Sequence, residues 1–162
     1  MRIRHILQEK GTEVVSINAD RTIHNAIGKL NQHGIGALVV KDEGGEIVGI
    51  ITERDILRVC GDKYVRLNES TVREDTTCQS LVQDAMTKDL IIGVLDDDPN
   101  YVMGIMSKNR IRHLPILDGG KLAGIISIGD LINAHLEEKV FENRTLRDYI
   151  QGTVRKSKSK DD

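Results

Sequence analysis

The stretch GIITERDILR, Gly49 to Arg58, has a partial copy later in the chain as GIISIGDLIN, Gly124 to Asn133. In both, an apolar run ends in a hydroxyl residue, Thr52 or Ser127, with an acid three residues on, Asp55 or Asp130. A run of β-branched residues that gives way to Ser/Thr-x-x-acid predicts a strand turning directly into a capped helix. The same corner spelled twice predicts a chain built as two copies of one unit.

The copies stay in register upstream of the corner. Thr22 precedes Ile23, Ala26, Ile27 and Leu30, which share one helix face, and Thr22 is the expected N-cap. Asp98 and Pro99 open the counterpart, ahead of Val102, Met103 and Met106. Gly34 and Asn109 tolerate left-handed backbone and mark the two helix ends. The strands ALVV and HLPIL, the turns KDEGGE and DGGK, and the strands IVGIIT and LAGIIS complete a hairpin in each copy. EVVSI and LIIGVL supply an earlier strand, so each unit reads strand, helix, strand, strand, helix.

The expected fold class is α+β: two βαββα-type repeats related by pseudo-twofold symmetry, with an extended C-terminal helix. Residues 1–70 form the first repeat with an N-terminal helix at RHILQEKG, 71–84 a linker, 85–152 the second repeat with its C-terminal helix, and 153–162 a disordered charged tail. VQDAMTKD is a short helix feeding the second repeat. The C-terminal helix carries Leu131, Ile132, Leu136, Val140, Phe141, Leu146 and Ile150, a broad stripe that packs on its own domain or on a second copy.

Composition narrows the function classes. The chain has 162 residues, enough for one substantial core or two small ones, and a net charge of −2, which argues against a nucleic-acid binder. No Trp and one Phe leave little for stacking on bases. The N-terminal segment alternates charged and apolar residues, which argues against a signal peptide or membrane insertion and gives a cytoplasmic expectation. Cys60 and Cys78 form no CxxC pair and read as free thiols. His5, His24, His33 and His135 show no metal-ligand spacing, and the run Asp96–Asp98 reads as a helix cap rather than a cation loop. No GxSxG, Walker loop, HExxH or GxGxxG motif is present, so an enzyme would need unrecognised chemistry.

The Ser/Thr-x-x-Asp corners carry two readings. As capping boxes they need no ligand and stabilise their helices by about 1 kcal/mol. As sites, a helix N-terminus after a strand offers N–H groups and a hydroxyl to an anion, while an acid one turn in can accept both hydroxyls of a ribose. Ile50, Ile51, Ile125 and Ile126 are then candidate walls for an adenine.

The segments GIGALVV, GGEIVGIITERDILR and RIRHLPILDGGKLAGIISIGDL, with helix starts at Thr22 and Asp98, resemble a tandem pair of cystathionine-β-synthase (CBS) domains, or Bateman module. The resemblance covers residues 12 to 140, and the chain is similar to stand-alone CBS-pair proteins. It implies a non-catalytic regulatory module with two clefts for adenosine-containing ligands, commonly AMP, ADP, ATP, NAD(H) or S-adenosylmethionine. It also implies a homodimer, a regulated protein partner, and a cytoplasmic or organellar-matrix location. Asp55 and Asp130 would hold ribose hydroxyls, while Thr52 and Ser127 would bond ribose or phosphate. Arg54 and Gly129 precede the acids on the phosphate side. Arg112 and His113 stand before the second strand of copy two, where copy one has Gly36 and Ala37, so the basic groups of both copies are expected to converge on one cleft. The other readings are a ligand-independent structural dimerisation module and an enzyme of unrecognised chemistry.

Overall fold

The computed structural model describes residues 1–67 and 79–158. Its elements are α1 (Ile3–Lys10), β1 (Ser16–Asn18), α2 (Ile23–His33), β2 (Ala37–Lys41), β3 (Ile47–Thr52) and α3 (Glu53–Leu67). These are followed by α4 (Val82–Ala85), β4 (Gly93–Val94), α5 (Pro99–Asn109), β5 (His113–Asp118), β6 (Lys121–Ser127) and α6 (Ile128–Lys158). The expected unit occurs twice, each with its own three-stranded sheet, β1-β2-β3 and β4-β5-β6. The first pair of strands in each sheet is parallel and the second antiparallel. Register repeats as well: Ala37 faces Thr52 as His113 faces Ser127, and each hairpin carries one irregularity, at Val40/Lys41 and Ile116/Leu117.

Local chemistry explains the helix limits. Thr22 accepts from the Asn25 N–H and Asp98 from Asn100 and Tyr101, with Pro99 at the first helical position. Gly34 ends α2 in left-handed backbone at φ 61°. At the end of α5 that conformation falls on Arg110, φ 55°, one residue past the expected Asn109. Arg110 is the one non-glycine residue at positive φ among the described residues, where left-handed geometry costs about 1–2 kcal/mol. The DGGK turn places Gly119 and Gly120 at φ 54° and 82°, the two positive values that a type I′ hairpin requires.

Packing departs from chain order. Ile3, Ile6 and Leu7 of α1 lie inside the second repeat, among Val102, Met106, Leu114, Ile116, Ile126 and Leu131. Backbone bonds from Ile3 to the Asp97 carbonyl (3.1 Å) and from Arg4 to that of Leu95 (2.9 Å) fix it there. Conversely, Val82 of α4 is fully buried in the first core, with Ile17, Ile23, Leu38, Val40 and Ile51. The two leading helices are thus exchanged: sequence order groups α1 with residues 1–70, whereas its buried face belongs to the second core.

This exchange accounts for the glycine that opens each corner. A Cβ at Gly49 would stand 2.6 Å from Met86 Sδ and 2.9 Å from the Thr87 carbonyl oxygen, and one at Gly124 would stand 2.7 Å from Leu7 Cδ2. In both sheets the exchanged segment crosses where the strand has no side chain. Ile50 and Thr87 further exchange backbone hydrogen bonds of 3.0 and 2.9 Å.

α6 runs through Lys158, so helix covers 153–158, which the sequence places in the tail; lysine and arginine sustain a helix well. Residues 159–162, the linker stretch 71–78 and Cys78 lie outside the described residues. Cys60 is a half-buried free thiol. No helix among the described residues is long and apolar enough to cross a membrane.

Candidate functional site

Both strand-to-helix corners are closed by the bonds of a capping box. Asp55 Oδ2 accepts from the Thr52 N–H at 2.9 Å and the Thr52 hydroxyl at 2.7 Å, while the Asp55 N–H donates back to that hydroxyl at 3.4 Å. Asp130 Oδ2 accepts from Ser127 N–H and Oγ at 2.7 and 2.8 Å, with the return bond at 3.2 Å. The capping reading is therefore correct for both copies. It does not exclude the other, because one carboxylate oxygen does all the capping. Among the described residues, Asp55 Oδ1 has only the Arg58 guanidinium near it, 3.6 Å away, although the residue is just 6% exposed.

Asp55 opens on a cleft of about 360 Å³ between the repeats. The first repeat supplies Ile50, Thr52, Arg54, Asp55 and Arg58; the second supplies Arg110, Ile111, Arg112, His113 and Pro115; Thr87, Asp89, Leu90 and Ile91 form the segment between. Its size falls in the range of small-molecule sites, roughly 300–1,000 Å³. Four arginines and two aspartates are among the residues that line it, so the charge balance of the walls favours an anion. Arg54 Nη1 donates to the Arg110 carbonyl at 2.8 Å, tying α3 to the left-handed residue that ends α5. Strained backbone concentrates where a site over-determines it, and Arg110 sits on this wall.

A second cleft, about 520 Å³, is lined by Gly34, Ile35, Gly36, Glu53, Arg112, His113, Ser127 and Gly129, with Leu30, Asn31 and Ile128. Arg112 and His113 line both clefts, whereas Arg54 lines only the first, so the expected meeting of Arg54 with Arg112 and His113 occurs there. Burial, followed by the charges of Arg112 and Lys10, holds the His113 imidazole below its usual value against the pull of Glu53 and Asp130, so the ring is neutral at pH 7. Gly36 makes room for that ring: a Cβ there would lie 3.2 Å from His113 Cε1.

The sequence-predicted residues divide into three groups. Ile50, Thr52, Arg54, Asp55, Arg112 and His113 meet in the first cleft. Gly36, Ser127 and Gly129 line the second. Ile51 and Ile126 are a correction: both are 0% exposed in the two cores, because alternation along β3 and β6 turns them away from the face that Ile50 and Ile125 occupy. Ala37 is buried in β2, and Ala37, Ile125 and Asp130 line neither cleft.

Arg58, Thr87, Asp89, Leu90, Arg110 and Ile111 were not singled out from the sequence. Arg58 carried a signal, its spacing one turn after Asp55; the others come from segments whose position depends on how the two repeats dock. The acidic run near α5 is structural: Asp98 caps, Asp97 Oδ2 accepts from the Val94 N–H at 2.8 Å, and Asp96 pairs with Arg4. Among the described residues no group of three His, Cys, Asp or Glu side chains is placed to hold a metal ion.

Comparison with known proteins agrees with the duplicated fold. The profile of the CBS domain matches residues 4–62 and 82–137. The mitochondrial CBS domain-containing protein CBSX3 of Arabidopsis thaliana is 35% identical over 137 residues, which span 82% of this chain but only 62% of that relative. The crystal structure of the CBS-domain containing protein ATU1752 from Agrobacterium tumefaciens aligns with a TM-score of 0.74 at 36% identity, covering 83% of this chain and 92% of its own. The CBS domain pair of protein MJ0100, crystallised in complex with 5′-methylthioadenosine and S-adenosyl-L-methionine, shares the fold with a TM-score of 0.70 at 23% identity, covering 85% and 98% of the two chains.

Proposed function

The chain belongs to the CBS-domain family, carrying the domain twice in tandem, and on that premise we propose that its Asp55 cleft binds a phosphorylated adenosine ligand and acts as a non-catalytic sensor. One observation carries this reading: a nearly buried carboxylate with an uncommitted oxygen faces an apolar-walled cleft that four arginines surround. Asp55 would accept the ribose hydroxyls. Ile50, Leu90, Ile91 and Ile111 would flank the base, and Arg54 and Arg112, with the neutral His113, would take the phosphate. The adenosine ligands crystallised with the MJ0100 pair are compatible with the nucleoside half of this reading. The arginines favour AMP, ADP, ATP or NAD(H) over S-adenosylmethionine, which carries a cationic sulfonium in place of phosphate.

Signalling follows from where the cleft lies. A ligand held by Thr52 and Asp55 on one side and by Arg112 and His113 on the other favours one relative placement of the repeats, in proportion to its differential affinity. That shift would be read by a partner protein in the cytoplasm or an organellar matrix. Affinities of micromolar to millimolar order, about −8 to −4 kcal/mol, suit a sensor of cellular nucleotides.

The test is isothermal calorimetry and thermal shift with AMP, adenosine, NADH and S-adenosylmethionine. AMP at a hundred times its Kd adds about 2.7 kcal/mol of stability. No response to any of the four would leave the corners as helix caps alone. Arg54→Ala is expected to weaken AMP about tenfold, as loss of one charge-assisted bond does, while adenosine changes less than twofold. Equal weakening of both would remove Arg54 from the phosphate site.

We also propose that the protein is a homodimer in which α6 takes part. Leu136, Val140, Phe141, Leu146 and Ile150 are exposed along it. The helix carries both signs of charge over Glu137–Arg147, so an antiparallel second copy meets it in complementary register. Sedimentation velocity should give a dimer that Phe141→Glu with Leu146→Glu converts to monomer; a wild-type monomer at micromolar concentration would refute it.

A further inference from the structure

The two corners repeat in sequence, but their carboxylates do not share an environment. Asp55 Oδ2 accepts two bonds, both from Thr52, and the nearest cation stands 3.6 Å from the other oxygen. Asp130 Oδ2 accepts a third bond, from Lys10 Nζ at 2.5 Å. The same ammonium donates to the Ile125 carbonyl at 3.1 Å. In the first repeat the matching carbonyl, that of Ile50, is taken by the backbone N–H of Thr87 at 2.9 Å. The exchanged segment thus brings a lysine side chain to one corner and main chain to the other.

The cause lies in the exchanged helices. α1 continues a turn past Leu7 and ends on Lys10, a position where the helix dipole favours a cation, whereas α4 stops at Ala85 and the chain crosses β3 as an extended bridge at Thr87. One turn after the residue that crosses the glycine, the first sequence has a lysine within reach of Asp130. Past the equivalent Met86, the second has Thr87, Lys88 and Asp89; the last lines the Asp55 cleft and, being acidic, cannot pair with that carboxylate.

We infer that Lys10 is a built-in occupant of the second corner, which takes the place of ribose hydroxyls at Asp130, so that the chain binds one nucleoside ligand, in the Asp55 cleft. This rests on the ribose role proposed for the corner aspartates. The pair is partly shielded, with side-chain exposures of 37% and 21%. Burial raises the Asp130 carboxyl, but the Lys10 ammonium and the Ser127 bonds outweigh it and hold the group below the usual carboxylate range, so Asp130 is ionised at pH 7. Asp130 and Ile125 also stand apart from the walls of the second cleft, which Ser127 and Gly129 do line.

The experiment is equilibrium dialysis of the full chain against AMP, counting nucleotide per chain. Wild-type protein is expected to bind one, and Asp130→Ala to leave that count unchanged. Lys10→Met, which keeps the apolar stem and removes the ammonium, should raise it to two, with the added site lost again in Lys10→Met/Asp130→Ala. Lys10→Arg should stay at one, and far-UV circular dichroism verifies the fold of each variant. An unchanged or lower count in Lys10→Met, or a wild-type count of two of which Asp130→Ala removes one, overturns the inference. The difference between Lys10→Met and wild type reads the lysine, and the wild-type count reads the Asp55 cleft. A wild-type count of zero therefore counts against the proposed function, and an Asp130-dependent gain in Lys10→Met still decides for the lysine.

Discussion

Alanine at Gly49 is expected to lower the unfolding free energy by about 1–3 kcal/mol, the usual effect of forcing a methyl group into packed space. For a chain of this length that is a drop of roughly 3–10 °C in Tm. The new methyl would meet Met86 Sδ at 2.6 Å and the Thr87 carbonyl at 2.9 Å. Methionine can yield, but the Thr87 main chain is bonded to Ile50 and cannot move without breaking that bridge. Gly124→Ala should be milder, because its three nearest neighbours are side-chain atoms of Leu7 and none is main chain. Chemical denaturation of the two variants, with Leu7→Ala and the Leu7→Ala/Gly124→Ala double mutant, tests both the magnitude and the contact. The double mutant should lose less than the sum of the singles, since the added methyl fills part of the cavity that Leu7→Ala leaves. Wild-type stability in Gly49→Ala would mean that the exchanged segment does not seat on β3.

The second large effect is on binding. Asp55→Asn keeps the side-chain shape and an oxygen for the Thr52 bonds, but replaces the free carboxylate oxygen with a donor. Hydrogen bonds to a charged acceptor are worth about 1.5–3 kcal/mol, so AMP affinity should fall about 10- to 150-fold, while stability changes by about 1 kcal/mol or less. Calorimetry on the pair of proteins measures the first and denaturant titration the second. A loss of stability with unchanged AMP affinity would make Asp55 a cap and nothing more. Asp55 would combine both roles because its two oxygens have different neighbours, Thr52 on Oδ2 and Arg58 on Oδ1.

Much of the architecture was legible because it is local. The Thr22 and Asp98 caps, the apolar spacing of α2 and α5, and the paired glycines of the DGGK turn act within a few residues of themselves. Duplication strengthened each reading, since a pattern seen in one copy predicts its register in the other. The candidate site was legible in part for the same reason: Thr52 and Asp55, or Ser127 and Asp130, are fixed relative to each other by one strand-to-helix turn. Ile51 and Ile126 were misplaced because the strand alternation assigning each isoleucine to a face depends on which side the core lies, and the exchanged helix covers part of the opposite face.

The chain's own letters determined that there are two units, what elements each contains and which corners hold hydroxyl and acid together, because these follow from spacing along one backbone. Tertiary structure alone decided that α1 seats on the second sheet and α4 on the first, that arginines from both repeats face a single cleft, and that Lys10 meets Asp130. Those contacts join segments far apart in sequence, and their positions are set by how two cores dock. The result is a near-symmetric pair in which a lysine bonds one corner aspartate and a cleft adjoins the other.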